Sequence, residues 1–278
     1  MMVEVGPHSA FAVNKIGFDR IPFPLSFAVR TVGAAWVVDA TAAQAAELAD
    51  VLQRAANDTI VVVSLGGTYF LDDGQQLFSP SQIAAAQGIS HHVHRLDGLT
   101  STDVSEEALV IRRDDLPQFL DGWTPYDLVW VDVSGAPTPQ HIDEIALAIG
   151  TMNRGDAVLP EIVGSRVCFF GHDDCYVTVE SMEPAVPPAV FSRLLALLVG
   201  SALADVSPVD VSDPGAEVVE TLIEQSSSWG GWLGAVSQAS ITVDLAAMPE
   251  PWRLGQRLPE RVDRSVTYDV NQRVWLSS

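Results

Sequence analysis

Apolar residues fall along this chain in two rhythms. In some stretches they come as short β-branched and aromatic runs, the mark of strands buried on both faces. Thr59–Ser64 (Thr-Ile-Val-Val-Val-Ser) and Asp127–Ser134 (Asp-Leu-Val-Trp-Val-Asp-Val-Ser) are the clearest. In others they recur at helical spacing. Ala45, Leu48, Leu52 and Ala55 do so with Gln44, Glu47 and Asp50 outward, and so do Ile142, Ile145, Ala146 and Ile149. Thr41 and Thr138 stand where N-caps belong, Pro139 fits a first helical position, and Gly150 is a natural stop. A strand over Ala34–Val38, a helix over Ala42–Ala56 and the strand at Thr59–Ser64 therefore read as a β-α-β arrangement.

The same reading continues down the chain. Tyr69–Leu71 is a short strand candidate and Ser81–Ala86 a short helix after Pro80. Gly88 to Arg112 reads as irregular. Arg166–Phe170 and Cys175–Ser181 flank turn residues and predict a hairpin. Ala189–Ala204 is apolar on nearly every face, which predicts a largely buried helix. A linker over 205–216, a helix over Glu217–Gln225 and a Ser/Gly/Trp loop over Ser226–Gly234 follow. Ile241–Leu245 is a strand, and Ser265–Tyr268 with Arg273–Leu276 predicts a closing hairpin. The fold class is α/β, a mixed sheet with packed helices, or α+β if the strands pair mainly as hairpins. Residues 1–205 form the expected α/β core, and 206–278 a linker plus a C-terminal extension that can pack on it.

Charge changes the picture. Asp and Glu number 36 against 15 Lys and Arg, a formal net charge of −21, and Lys15 is the only lysine. Residues 194–252 carry eight acids and no Lys or Arg, whereas 251–278 carry five arginines against three acids. Such a chain repels phosphate backbones and attracts basic surfaces, so a basic protein is the expected partner and nucleic acid is not. Met1–His8 show no basic stretch followed by an apolar one, and the strongly apolar run Leu194–Ala204 is too short to span a bilayer. The expected address is the cytoplasm, with no membrane association. Two cysteines, Cys168 and Cys175, are then expected as reduced thiols. A two-residue turn at Gly171-His172 would place them opposite each other, and a turn one residue later would not.

Several constellations carry possible chemistry. Four apolar strands end in a carboxylate: Asp39, Asp132, Glu180 and Asp244. If their strands were parallel and adjacent, these acids would share one sheet edge and hold Mg²⁺ or Mn²⁺. His91-His92-Val93-His94 would set His92 and His94 on one side of a strand, two ligands for Zn²⁺ awaiting a third. Gly171-His172-Asp173-Asp174-Cys175 brings a base, acids and a thiol to one turn, making His172, Asp173 and Cys175 catalytic candidates. Gly66-Gly67 lacks the lysine and hydroxyl of a phosphate loop, and no GxSxG elbow occurs, so no cofactor is expected. Trp229-Gly230-Gly231-Trp232-Leu233 is a different signal, since exposed tryptophans anchor interfaces. Together these point to a non-catalytic binder of a basic protein, of the immunity or antitoxin kind. Trp229, Trp232 and Leu233 would form its contact. The alternative is a metal-dependent enzyme built on the strand-end acids or the histidines.

Overall fold

A computed structural model describes residues 25–41, 46–65, 70–72, 76–96, 104–121, 128–152, 156–172, 176–204, 211–248 and 261–277. Helices and strands are interleaved, and the fold is α/β with the sheet dominant. The chain divides into two compact units. One comprises Met1–Arg30, Val38–Ala43 and Pro187–Ser278, and the other Thr31–Val37 and Gln44–Val186. Strands β1 (Leu25–Val32) and β2 (Ala35–Thr41) meet at a turn where Gly33 takes φ 59°, and each contributes residues to both units.

The central unit holds β3 (Thr59–Leu65), β6 (His91–Arg95), β7 (Val104–Arg112), β8 (Leu128–Val133), β9 (Val167–His172) and β10 (Tyr176–Ser181). They lie in the order β10-β9-β8-β3-β7-β6, each antiparallel to its neighbour. β4 (Phe70–Asp72) and β5 (Gln76–Phe78) form a separate small ribbon. β8 and β9 lie either side of the helix α4 (Pro139–Thr151) in the chain and pair antiparallel. Helical and strand rhythms report burial of each element, not the direction in which the chain re-enters the sheet.

Both faces of this sheet are closed. Val61, Val63, Val129, Val131, Cys168 and Phe170 share one face and pack with Ile142, Ile145, Ala146 and Ile149 of α4. The opposite face carries Val62, Leu109, Trp130 and Phe169, all wholly buried, with Trp130 stacked on Phe169 at 5.7 Å between centroids. Helix α1 (Ala46–Ala55) packs on α3 (Leu116–Asp121), and α2 (Pro80–Ala86) contacts β3, β6 and β7. Capping follows the sequence at two helices. Thr138 accepts from the His141 N–H, and Ser79 and Gln82 form a reciprocal capping box on α2. Thr41 lies in β2, where its Oγ1 accepts from the Ser26 N–H, and residues 42–45 of the expected helix over Ala42–Ala56 lie outside the described residues.

The terminal unit is built on β11 (Ser228–Val236), β12 (Ser240–Ala247), β13 (Arg264–Asp269) and β14 (Val274–Ser277), in the order β14-β13-β12-β11-β1, all antiparallel. Helix α5 (Val186–Ala204) packs against it, Phe191 stacking on Phe27 at 4.3 Å. Phe191, Leu194, Leu195, Leu198 and Val199 are all 0% exposed, as an all-round apolar helix requires. The span Val186–Leu203 is long and apolar enough to cross a membrane, and 67% of it is buried within the protein. Helix α6 (Ala216–Gln225) buries Val219 and Leu222.

Candidate interaction surface

The segment Ser226–Gly234, expected as a loop, is mostly strand: β11 begins at Ser228. Its glycines are there for space. A Cβ on Gly231 would stand 2.8 Å from Leu245 Cδ2 and 3.2 Å from Leu25 Cδ2, and one on Gly234 would overlap the Asp244 carboxylate. Alternation along β11 then separates the two tryptophans. Trp229 points into the core at 2% exposure, beside Phe27, and its Nε1–H donates to the Leu222 carbonyl at 3.1 Å. Leu233 is also buried, at 3%. Of the three residues expected as a contact, Trp229 and Leu233 are thus buried, and Trp232 is half-buried on the other face.

Register extends that face outward. Trp232 stands opposite Asp244, which stands opposite Ser265. Thr242 pairs with Thr267, and Thr267 with Leu276. Asp244 Oδ1 accepts from the Ser265 hydroxyl at 2.7 Å, and the two threonine hydroxyls lie 3.1 Å apart. Val274 and Leu276 are 41% and 51% exposed. This surface holds a half-buried indole, two exposed aliphatic side chains, a threonine pair and two carboxylates, Asp244 and Asp269. The signal for it was the alternation Ile241-Thr242-Val243-Asp244-Leu245, which marks a strand with one solvated face. Val274 and Leu276, which frame it, went unread as surface residues.

The strand-end acids do not converge. In the central unit Asp132 and Glu180 occupy opposite faces, because Glu180 pairs with Cys168 and Cys168 with Val131. Asp132, wholly buried, accepts from three backbone N–H groups: Asn57 at 2.6 Å, and Arg166 and Val167 at 2.7 Å. Burial raises its pKa, and those three bonds with the Arg166 charge pull the other way. Glu180, 1% exposed, accepts from the N–H groups of Val158 and Leu159 at 3.1 and 2.7 Å. Each carboxylate fastens connecting chain to the sheet. In the terminal unit Asp39 faces Arg30 at 3.6 Å, and Asp244 holds Ser265.

The histidines lie on β6 and not in an irregular segment. His94 Nε2 sits 2.8 Å from Asp143 Oδ1 of α4, His91 Nδ1 bonds the Ile89 carbonyl, and His92 is exposed. Among the described residues no group of three His, Cys, Asp or Glu side chains is placed to hold a metal ion. Asp173 and Cys175 lie outside the described residues, as does the side chain of His172. The β9–β10 register pairs Tyr176 with His172, so Cys168 faces Glu180 and not Cys175. Cys168 is a free, wholly buried thiol. Burial, with Glu180 and Asp132 nearby, pushes its pKa well up, which keeps it protonated and unreactive. The chain matches no protein-family model, no curated protein and no solved structure.

Proposed function

We propose that this protein is a non-catalytic, cytoplasmic binder that sequesters a basic protein, in the manner of an immunity or antitoxin factor. Its contact surface is the outer face of β11–β14. The observation that carries the reading is Trp232: an indole held half-buried on a paired strand, with partly exposed aliphatic and hydroxyl groups around it. Such a rigid aromatic loses little entropy on binding and contributes through desolvated area. The net charge of −21 supplies the long-range attraction that brings a basic partner in.

The test uses the full chain as bait, wild type beside Trp232→Ala, with captured proteins identified by mass spectrometry and the purified pair followed kinetically. A basic partner is expected, with association slowing as salt rises, because the Debye length falls from about 10 Å at 0.1 M to about 3 Å at 1 M. Trp232→Ala is expected mainly to raise the off-rate. A variant that melts lower yet binds that partner normally removes Trp232 as the anchor. An acidic or salt-indifferent partner removes the electrostatic half of the reading.

A further inference from the structure

Two strands end the described strand order, and they are built differently. β6, with the sequence His-His-Val-His-Arg, is rich in polar and charged side chains, with His92 and Arg95 exposed. Charge on an edge strand is a standard defence against pairing with another chain. β14 has none of it. Val274-Trp275-Leu276-Ser277 contains no charge, no proline and no bulge against β13, and among the described residues it pairs with β13 alone. Nor is it a loose end. Trp275 packs on Tyr268 at 5.3 Å and its Nε1–H donates to the Ser212 carbonyl at 2.7 Å, so the strand is held in place from its inner side. Its outer side chains, Val274 and Leu276, remain 41% and 51% exposed.

We propose that β14 is a joint between two copies of this chain, their Val274–Ser277 edges pairing antiparallel about a two-fold axis. An isologous contact needs a surface that complements itself, and an uncharged strand edge does so through backbone N–H and C=O groups alone. Local charge selects this occupant. Between Arg261 and Ser277 there are three arginines against two aspartates, whereas residues 194–252 hold eight acids and no cation. A second acidic copy meets its least repulsion at this hairpin. Val274 and Leu276 of each copy then extend one apolar strip across the joint. A four-residue ladder falls short of the roughly 1,000 Å² of a stable interface, so the pair is reversible and concentration-dependent. The inference does not rest on the binder reading.

Sedimentation velocity and backbone hydrogen exchange on the full chain test it. Wild type is expected to shift from monomer toward dimer with concentration. More salt should favour the dimer, because salt screens the repulsion between two chains of charge −21. Amides of 274–277 should gain protection in parallel. Leu276→Lys and Val274→Lys should each raise the dissociation constant by roughly tenfold or more, by placing like charges in one joint. Their melting temperatures should stay near wild type. A monomer at every concentration and salt level overturns the proposal, as does a dimer that persists unchanged in both lysine variants. Salt has the opposite sign for a basic partner, so failure of one reading is distinguishable from failure of the other.

Discussion

The central and terminal sheets obey the same local rules and end with different surfaces. In the central unit both faces are covered, and every residue of β8 is buried. In the terminal unit one face carries the core, while the other shows Trp232, Asp244 and Thr267 half-buried and Leu276 exposed. The fate of a strand-end acid follows from this difference. Asp132, with no access to water, is fully engaged by three backbone N–H groups, whereas Asp244 makes a hydroxyl bond and keeps part of its hydration. A carboxylate at a strand end therefore becomes a structural clamp where the sheet is closed and a surface feature where it is open.

The largest expected effects test that contrast directly. Asp132→Ala should destabilise the fold by roughly 2–4 kcal/mol, since the buried Val167 N–H loses its acceptor at about 1–3 kcal/mol, the partly buried Asn57 and Arg166 N–H groups lose less, and loss of a buried charge offsets part of it. Asp244→Ala should cost less than about 1 kcal/mol, because water can reach Ser265. Equal losses in denaturant unfolding would break the distinction between closed and open sheets. The tryptophans of β11 repeat the comparison within one strand. Trp229→Ala should cost about 3–5 kcal/mol and free the Leu222 carbonyl, whereas Trp232→Ala should cost roughly 1–2 kcal/mol. Similar melting temperatures for the two variants would place both rings in the core.

A pH series sharpens the closed side. Burial raises the Asp132 pKa above 3.8 by more than its hydrogen bonds and Arg166 lower it. A folded-state value above the unfolded one favours the protonated form. The stability this titration contributes is fully present below 3.8 and is lost as pH rises through the folded value. Asp132→Asn does not titrate. The margin of wild type over this variant, read from denaturant midpoints, should therefore shrink across that window. A margin that widens with pH would show the three N–H groups outweighing burial.

Most strands were legible because burial leaves a pattern: Thr59–Leu65, Leu128–Val133 and the β9–β10 hairpin all follow from β-branched and aromatic runs. α5 was legible because no face of it could meet water. What escaped depended on partners distant in sequence. Glycines at 230, 231 and 234 look like loop signals, yet Gly231 and Gly234 make room for Leu25, Leu245 and Asp244. The histidines of β6 fall where apolar content is too low to announce a strand, and pairing with β7 supplies what propensity does not. Among the candidate residues, Trp232 was legible as a chemical type. Which of two tryptophans faced outward depended on a strand register that a loop reading cannot contain.

The smallest effect belongs to the turn between β13 and β14. Arg273 has φ 56°, and among the described residues it is the one non-glycine with positive φ. An L-residue in that region costs roughly 1–2 kcal/mol relative to ordinary conformations. Glycine removes that cost but gives up about 0.5–1 kcal/mol to the greater freedom of the unfolded chain. The turn itself does not depend on the arginine side chain. The Gln272 N–H donates to Asp269 Oδ1, and the Arg273 N–H to the Asp269 carbonyl, both at 2.8 Å. Arg273→Gly keeps both donors, so a stabilisation between zero and about 1 kcal/mol is expected, read as a small rise in the denaturant midpoint. A fall as large as that of Trp232→Ala would mean that the exposed guanidinium holds the open side of this sheet together. The terminal unit would then depend on surface charge in a way that the closed central sheet does not.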